Sequence, residues 1–124
     1  MAEAARKMRI LILEDEFMVA LELSHILRDF GVEVVGPTGR ARDALERLER
    51  ERVDAALLDI NLSRGNSLDV ARALMESDVP FAFVTGYQTM SLPEPLDTIP
   101  RIIKPAAKER LRTLIEEFGD RLSE

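Results

Sequence analysis

Four apolar runs in this chain each end on a side chain that could do chemistry. Ile10 to Leu13 runs into Glu14-Asp15-Glu16, and Ala55 to Leu58 into Asp59, with Ile60 and Asn61 behind it. Phe81 to Val84 ends in Thr85-Gly86, and Arg101 to Ile103 in Lys104-Pro105. If the acidic ends converge, two carboxylates about 4 Å apart repel by roughly 4 kcal/mol at an effective dielectric near 20. Such a cluster persists by sharing protons or by holding a cation. All the candidate ligands are oxygens, with no Cys in the chain and no His nearby in sequence, which favours a hard ion such as Mg²⁺ over zinc. A hydroxyl and an ammonium in the same crevice suit anionic oxygens. Acids, cation, hydroxyl and lysine together describe phosphoryl transfer, in which a carboxylate can serve as nucleophile and form an aspartyl phosphate.

The elements that must position these groups are legible in the hydrophobic pattern. Arg9 to Leu13, Val32 to Val35, Asp54 to Asp59, Phe81 to Val84 and Arg101 to Ile103 read as short strands. Helical periods fill Glu16 to Phe30, Arg40 to Arg50, Ser67 to Glu76 and Ala106 to Arg121. Ala41, Ala44, Leu45 and Leu48 form one apolar stripe, and Leu111, Leu114, Ile115 and Phe118 another. On the first helix, His25 falls with Met18, Glu22 and Asp29 on a polar side opposite Phe17, Leu21, Ser24 and Leu27, and reads as an exposed, passive histidine. Asp43–Arg47 and Glu46–Arg50 are i,i+4 pairs on the solvent side of the second helix. Gly31 closes the first helix and Gly36-Pro37 the second strand. Pro93, Pro95 and Pro100 preclude a full helix between the fourth and fifth strands, so that segment is expected to hold one helical turn at most.

Continuously apolar strands alternating with helices imply an α/β fold, a parallel sheet covered on both faces. Five such units suit a doubly wound, flavodoxin-like sheet of order 2-1-3-4-5 with an irregular fourth helix. The functional crevice of such a sheet lies at the carboxyl ends of its strands, beside the first and third.

The bulk numbers fit one domain spanning 1–124, with residues 1–7 expected as a flexible start. With 17 basic and 23 acidic side chains the net charge is −6, which disfavours nucleic acid and anionic membrane as partners. The absence of cysteine excludes disulfides, thiolate zinc sites and a cysteine nucleophile. No apolar run reaches the roughly 18 residues of a membrane span, and the start lacks a signal-peptide pattern, so a cytoplasmic setting is expected.

Taken together and in order, LILEDE, LLDINL, FVTGY and IIKP resemble the response-regulator receiver domain of two-component signalling, over essentially the whole chain. The resemblance implies that Asp59 accepts a phosphoryl group. It implies that Glu14, Asp15, Asp59 and the backbone carbonyl of Asn61 hold Mg²⁺. Thr85 and Lys104 would each bind a phosphoryl oxygen, Gly86 would leave room for the donor, and the Lys104–Pro105 peptide would be cis. The partners implied are a histidine kinase or histidine phosphotransfer protein upstream and a protein target downstream, with homodimerisation left open. Such a domain is phosphorylated and dephosphorylated at its own aspartate and is not a turnover enzyme.

The chain departs from the family pattern at three places. Arg101 stands where the family usually has a switch aromatic, and Ser63 where it usually has proline. FVTGY followed by a proline-rich segment is similar to the receiver subgroup marked by Phe-Ala-Thr-Gly-…-Tyr, which points to Tyr87 as the mobile aromatic. Competing classes fit less well. A haloacid-dehalogenase-type phosphatase needs a second Asp where Asn61 stands, and a flavin module needs hydroxyls and glycines where EDEF would repel phosphate. A pseudo-receiver has no need of the complete set of site residues. The chain ends about three residues past its last helix, so a stand-alone receiver is expected.

Overall fold

A computed structural model describes residues 7–62, 65–86 and 91–123. The elements run β1 (Arg9–Leu13), α1 (Phe17–Asp29), β2 (Glu33–Thr38), α2 (Ala41–Arg50) and β3 (Ala55–Asp59). They continue with α3 (Ser67–Glu76), β4 (Phe81–Thr85), a 3-10 turn (Leu96–Thr98), β5 (Arg101–Ile103) and α4 (Lys108–Leu122). Every strand pairing is parallel, and the sheet order is β2-β1-β3-β4-β5, as the sequence pattern predicts.

The period-2 geometry of a strand explains why the runs are apolar throughout. Ile10, Ile12, Ala55, Leu57, Ala82 and Val84 point to one face, where they pack with Leu23 and Leu27 of α1 and Leu111, Leu114 and Phe118 of α4. Leu11, Leu13, Ala56, Leu58, Phe81 and Phe83 point to the other, against Ala41 and Ala44 of α2 and Val70, Ala71 and Leu74 of α3. A polar residue at either parity would therefore face apolar side chains, which selects against alternation.

Three local expectations change. β2 does not close at Gly36-Pro37 but continues to Thr38, with the pairing shifting between Leu11↔Val35 and Leu13↔Thr38. Pro37 is tolerated because β2 is an edge strand, and Gly36, at φ +94°, supplies the left-handed residue that the irregularity requires. On α1 the buried stripe is Ala20, Leu23, Ser24 and Leu27, whereas Phe17, Met18 and Leu21 are exposed. Phe17 and Leu21 share the helical period of Ser24 and Leu27 but sit in the first turns, to one side of the line that meets the sheet. His25 is exposed, as expected. On α2, Asp43 pairs with Arg47 at 3.0 Å, but Glu46 reaches back to Arg42 at 3.9 Å.

The proline-rich stretch behaves as its composition demands: among its described residues only Leu96–Thr98 form a helical turn, anchored by the buried Leu96. The expected flexible start and the Ser63 and Tyr87 positions lie outside the described residues, save Lys7, which is exposed.

Candidate functional site

Register alone brings the reactive ends together. Leu13 pairs with Leu58, so the next residues along, Glu14 and Asp59, emerge side by side. Asp59 pairs with Val84 and Thr85 with Ile103, which sets Thr85 and Lys104 beside them along the same edge. The backbone fixes the arrangement further, since Glu14 N–H donates to the Thr38 carbonyl and Lys104 N–H to the Thr85 carbonyl, both at 2.8 Å. Asn66 caps α3 by accepting from Leu68 N–H at 2.9 Å, and the buried Ser67 hydroxyl donates to the Ile60 carbonyl at 2.9 Å, anchoring the loop behind Asp59.

Glu14 and Asp59 are each only 3% exposed, and Thr85 is fully buried. Ligand atoms of Glu14, Asp15 and Asp59 all lie within 4.8 Å of one another. Lys104 reaches into this cluster, with Nζ 3.0 Å from Glu14 Oε1, 3.1 Å from Glu16 Oε1 and 3.5 Å from Asp59 Oδ2. The two oxygens of Asp59 are thereby distinguished. Oδ1 accepts from Asn61 N–H at 3.1 Å, whereas Oδ2 faces the lysine. The structure thus gathers Glu14, Asp15, Asp59, Thr85 and Lys104 at one sheet edge. Asn61 and Gly86 join Asp59, Glu16 and Lys104 in lining an opening of ≈ 350 Å³. An added Cβ at Gly86 would meet nothing within 4 Å, so the space expected beside Thr85 is present. The Lys104–Pro105 peptide is cis.

Electrostatics mark the cluster as under-neutralised. Burial pushes the Glu14 carboxyl up to about 7 from an ordinary 4.5; the Glu16 N–H and the Lys104 ammonium pull it down, and the Asp59 charge adds to the rise. Burial works against the charge on Lys104, but hydrogen bonds to Glu14 and Glu16 and the nearby carboxylates outweigh it and raise its pKa above the usual lysine value. Glu14 Oε1, although in ion-pair range of Lys104, is buried with no donor aligned to it as a hydrogen bond. An under-satisfied buried carboxylate oxygen, two neighbouring acids and an all-oxygen donor set fit a hard divalent cation.

Two contributors escape sequence reasoning. Glu16 opens the first helical period and is the N-cap of α1, yet its carboxylate grips Lys104. Gly39 packs on the metal-ligand candidate Asp15, where an added Cβ would come within 3.0 Å of its Cα and 3.1 Å of its Cβ. Gly39→Ala is therefore expected to shift Asp15 and weaken Mg²⁺ binding about tenfold, as loss of ligand support does at other metal sites. Titration calorimetry on a variant with unchanged circular dichroism checks it.

Similarities to known proteins agree with this geometry. The family model for the response regulator receiver domain matches residues 10–116. The chain is 31% identical over 115 residues to the sensory transduction protein LytT of Bacillus cereus, covering 90% of this chain and 47% of that protein. It is 31% identical over 94 residues to the transcriptional regulatory protein PdtaR of Mycobacterium tuberculosis, covering 75% of this chain and 46% of that one. The chain thus spans about half the length of these relatives. SdrG from Sphingomonas melonis Fr1 superposes with a TM-score of 0.79 at 33% identity, over 90% of this chain and 96% of that one. With the strand order, the gathered acids and the lysine already in place, the match over residues 10–116 shows that this chain belongs to the response regulator receiver domain family of two-component signalling.

Proposed function

We propose that the chain, read as one receiver domain over 1–124, takes a phosphoryl group onto Asp59 from the phosphohistidine of a histidine kinase or phosphotransfer protein. One observation carries this reading: Asp59 Oδ2 is buried beside Lys104 at the floor of an open crevice, while Oδ1 is held by the Asn61 N–H. In the step, Oδ2 forms a bond to phosphorus as the P–N bond of the donor breaks and the imidazole leaves. The Thr85 hydroxyl and the Lys104 ammonium each bind a phosphoryl oxygen. Glu14, Asp15, Asp59 and the Asn61 carbonyl would hold Mg²⁺, which when bound supplies the charge neutralisation this chemistry needs. Water later attacks phosphorus and restores Asp59, so the domain acts on its own aspartate and no separate substrate turns over.

Phe17, Met18 and Leu21 expose apolar surface on α1, the helix that starts directly after the crevice-lining Glu16, a feature suited to a protein donor. Tyr87 and the 88–100 segment would rearrange on phosphorylation and present the signal to a protein target, with Tyr87 replacing the aromatic that Arg101 displaces. Among the described residues no helix is long and apolar enough to cross a membrane, and a cytoplasmic setting, where histidine kinases present their phosphohistidine, suits the reading.

The reading is tested with phosphoramidate, a small P–N donor, in the presence of Mg²⁺. A phosphoprotein that hydroxylamine discharges is expected, because an acyl phosphate yields to that nucleophile. A hydroxylamine-stable product, or none, contradicts it.

A further inference from the structure

Lys104 is surrounded by carboxylates. Its ammonium donates hydrogen bonds to Glu14 Oε2 at 3.3 Å and Glu16 Oε1 at 3.1 Å, with Glu14 Oε1 at 3.0 Å and Asp59 Oδ2 at 3.5 Å in ion-pair range. A phosphoryl oxygen arriving at Asp59 must compete with Glu14 and Glu16 for this ammonium. Glu14 and Asp59 are buried in the acidic cluster, where neither side chain can swing out into water. Glu16 is different. Its side chain is 64% exposed, it stands outside that cluster, and it lines the opening through which a phosphodonor must arrive.

The Glu16 backbone is tied down on both sides. Its N–H donates to Glu14 Oε2 at 3.1 Å, and its carbonyl accepts from Ala20 N–H at 2.9 Å as the first bond of α1. Only the side chain swings, and water solvates it when it does. An exposed ion pair of this kind is weak enough to be exchanged at each event.

From this geometry we infer that Glu16 is a positioning residue: its carboxylate occupies the anion position of Lys104 at the crevice mouth and is displaced by the incoming phosphoryl oxygen. The inference rests on the reading of Asp59 as phosphoacceptor and adds to it a residue that sets the loading rate. Holding Lys104 in the ground state stabilises the unloaded protein and not the transition state, so Glu16 slows loading.

Two variants separate contact from charge. Glu16→Gln removes the charge, whereas Glu16→Asp keeps it and withdraws it by about 1.5 Å, one C–C bond. With acetyl phosphate at saturating Mg²⁺, both are expected to load about two- to fivefold faster than the natural chain, the scale of an exposed ion pair. Glu76→Gln, an exposed charge at the end of α3, should load at the natural rate. The ¹⁵N ammonium resonance of Lys104 in the Mg²⁺-bound protein gives a readout independent of loading, and its exchange with water should quicken in both Glu16 variants. Unchanged loading in both variants overturns the inference, as does faster loading in Glu16→Gln alone, which would show a general charge effect. Unchanged water exchange at Lys104 overturns it too. If the natural chain never loads Asp59, the phosphoacceptor reading itself has failed and the inference falls with it. That outcome is recognised by the natural chain alone.

Discussion

Lys104→Ala is expected to slow the loading of Asp59 by acetyl phosphate about 100-fold, the cost of losing one charge-stabilising donor at a transition state. The ammonium lies 3.5 Å from Asp59 Oδ2 and is the cation placed to meet charge on a phosphoryl group at that oxygen. Removing it leaves the cluster of Glu14, Asp15 and Asp59 in place, so Mg²⁺ binding should survive the change. Retained metal binding with lost loading separates a role in the chemistry from a role in assembling the site. A time course of intact mass at saturating Mg²⁺ reads the rate directly. A rate within about threefold of the natural chain would remove Lys104 from the transition state, since lost donors of this kind cost far more.

The second large effect concerns pH. Burial raises the Glu14 carboxyl to about 7, so near neutrality it holds a proton part of the time. A cation that uses Glu14 must displace that proton, and Mg²⁺ should therefore bind about tenfold more weakly at pH 6 than at pH 8. The sign for stability follows from the same shift. The folded-state value lies above the ordinary 4.5, so the contribution of Glu14 is fully present below about 4.5 and is lost as pH rises through about 7. The metal-free protein should thus lose stability across that window. Lys104, whose pKa is raised above an already high ordinary value, stays charged throughout it. Added Mg²⁺ should raise the melting temperature more at pH 8 than at pH 6. Equal Mg²⁺ affinities at the two pH values would mean that Glu14 is either ionised throughout or no ligand.

Much of this architecture is written locally. Short apolar runs such as Ala55–Leu58, alternating with helical periods, read as strands covered on both faces, and a parallel sheet with such strands places its reactive groups at their carboxyl ends. The strand pattern thus sets Asp59 beside Glu14, and the register of Leu13 with Leu58 does so. The prolines at 93, 95 and 100 likewise reduced the segment before β5 to one short turn.

What escaped depends on contacts between distant parts of the chain. Pro37 reads as a terminator, and only the edge position of β2 makes it harmless. Phe17 and Leu21 share their helical period with Ser24 and Leu27, and only the line along which α1 meets the sheet decides that Ala20 and Leu23 are the buried partners. Glu16 meets a lysine 88 positions away, and Gly39 earns its place through the backbone of Asp15. Neither relation has a local signature.

On the proposed function Asp59 is a Mg²⁺-dependent phosphoacceptor. Intact-mass measurement after incubation with acetyl phosphate, with and without Mg²⁺ and beside Asp59→Asn, tests it most directly. A single phosphoryl adduct is expected on the natural chain, one that requires Mg²⁺ and is missing from Asp59→Asn. An adduct that persists in Asp59→Asn, or a natural chain that binds Mg²⁺ and stays unmodified, would contradict it.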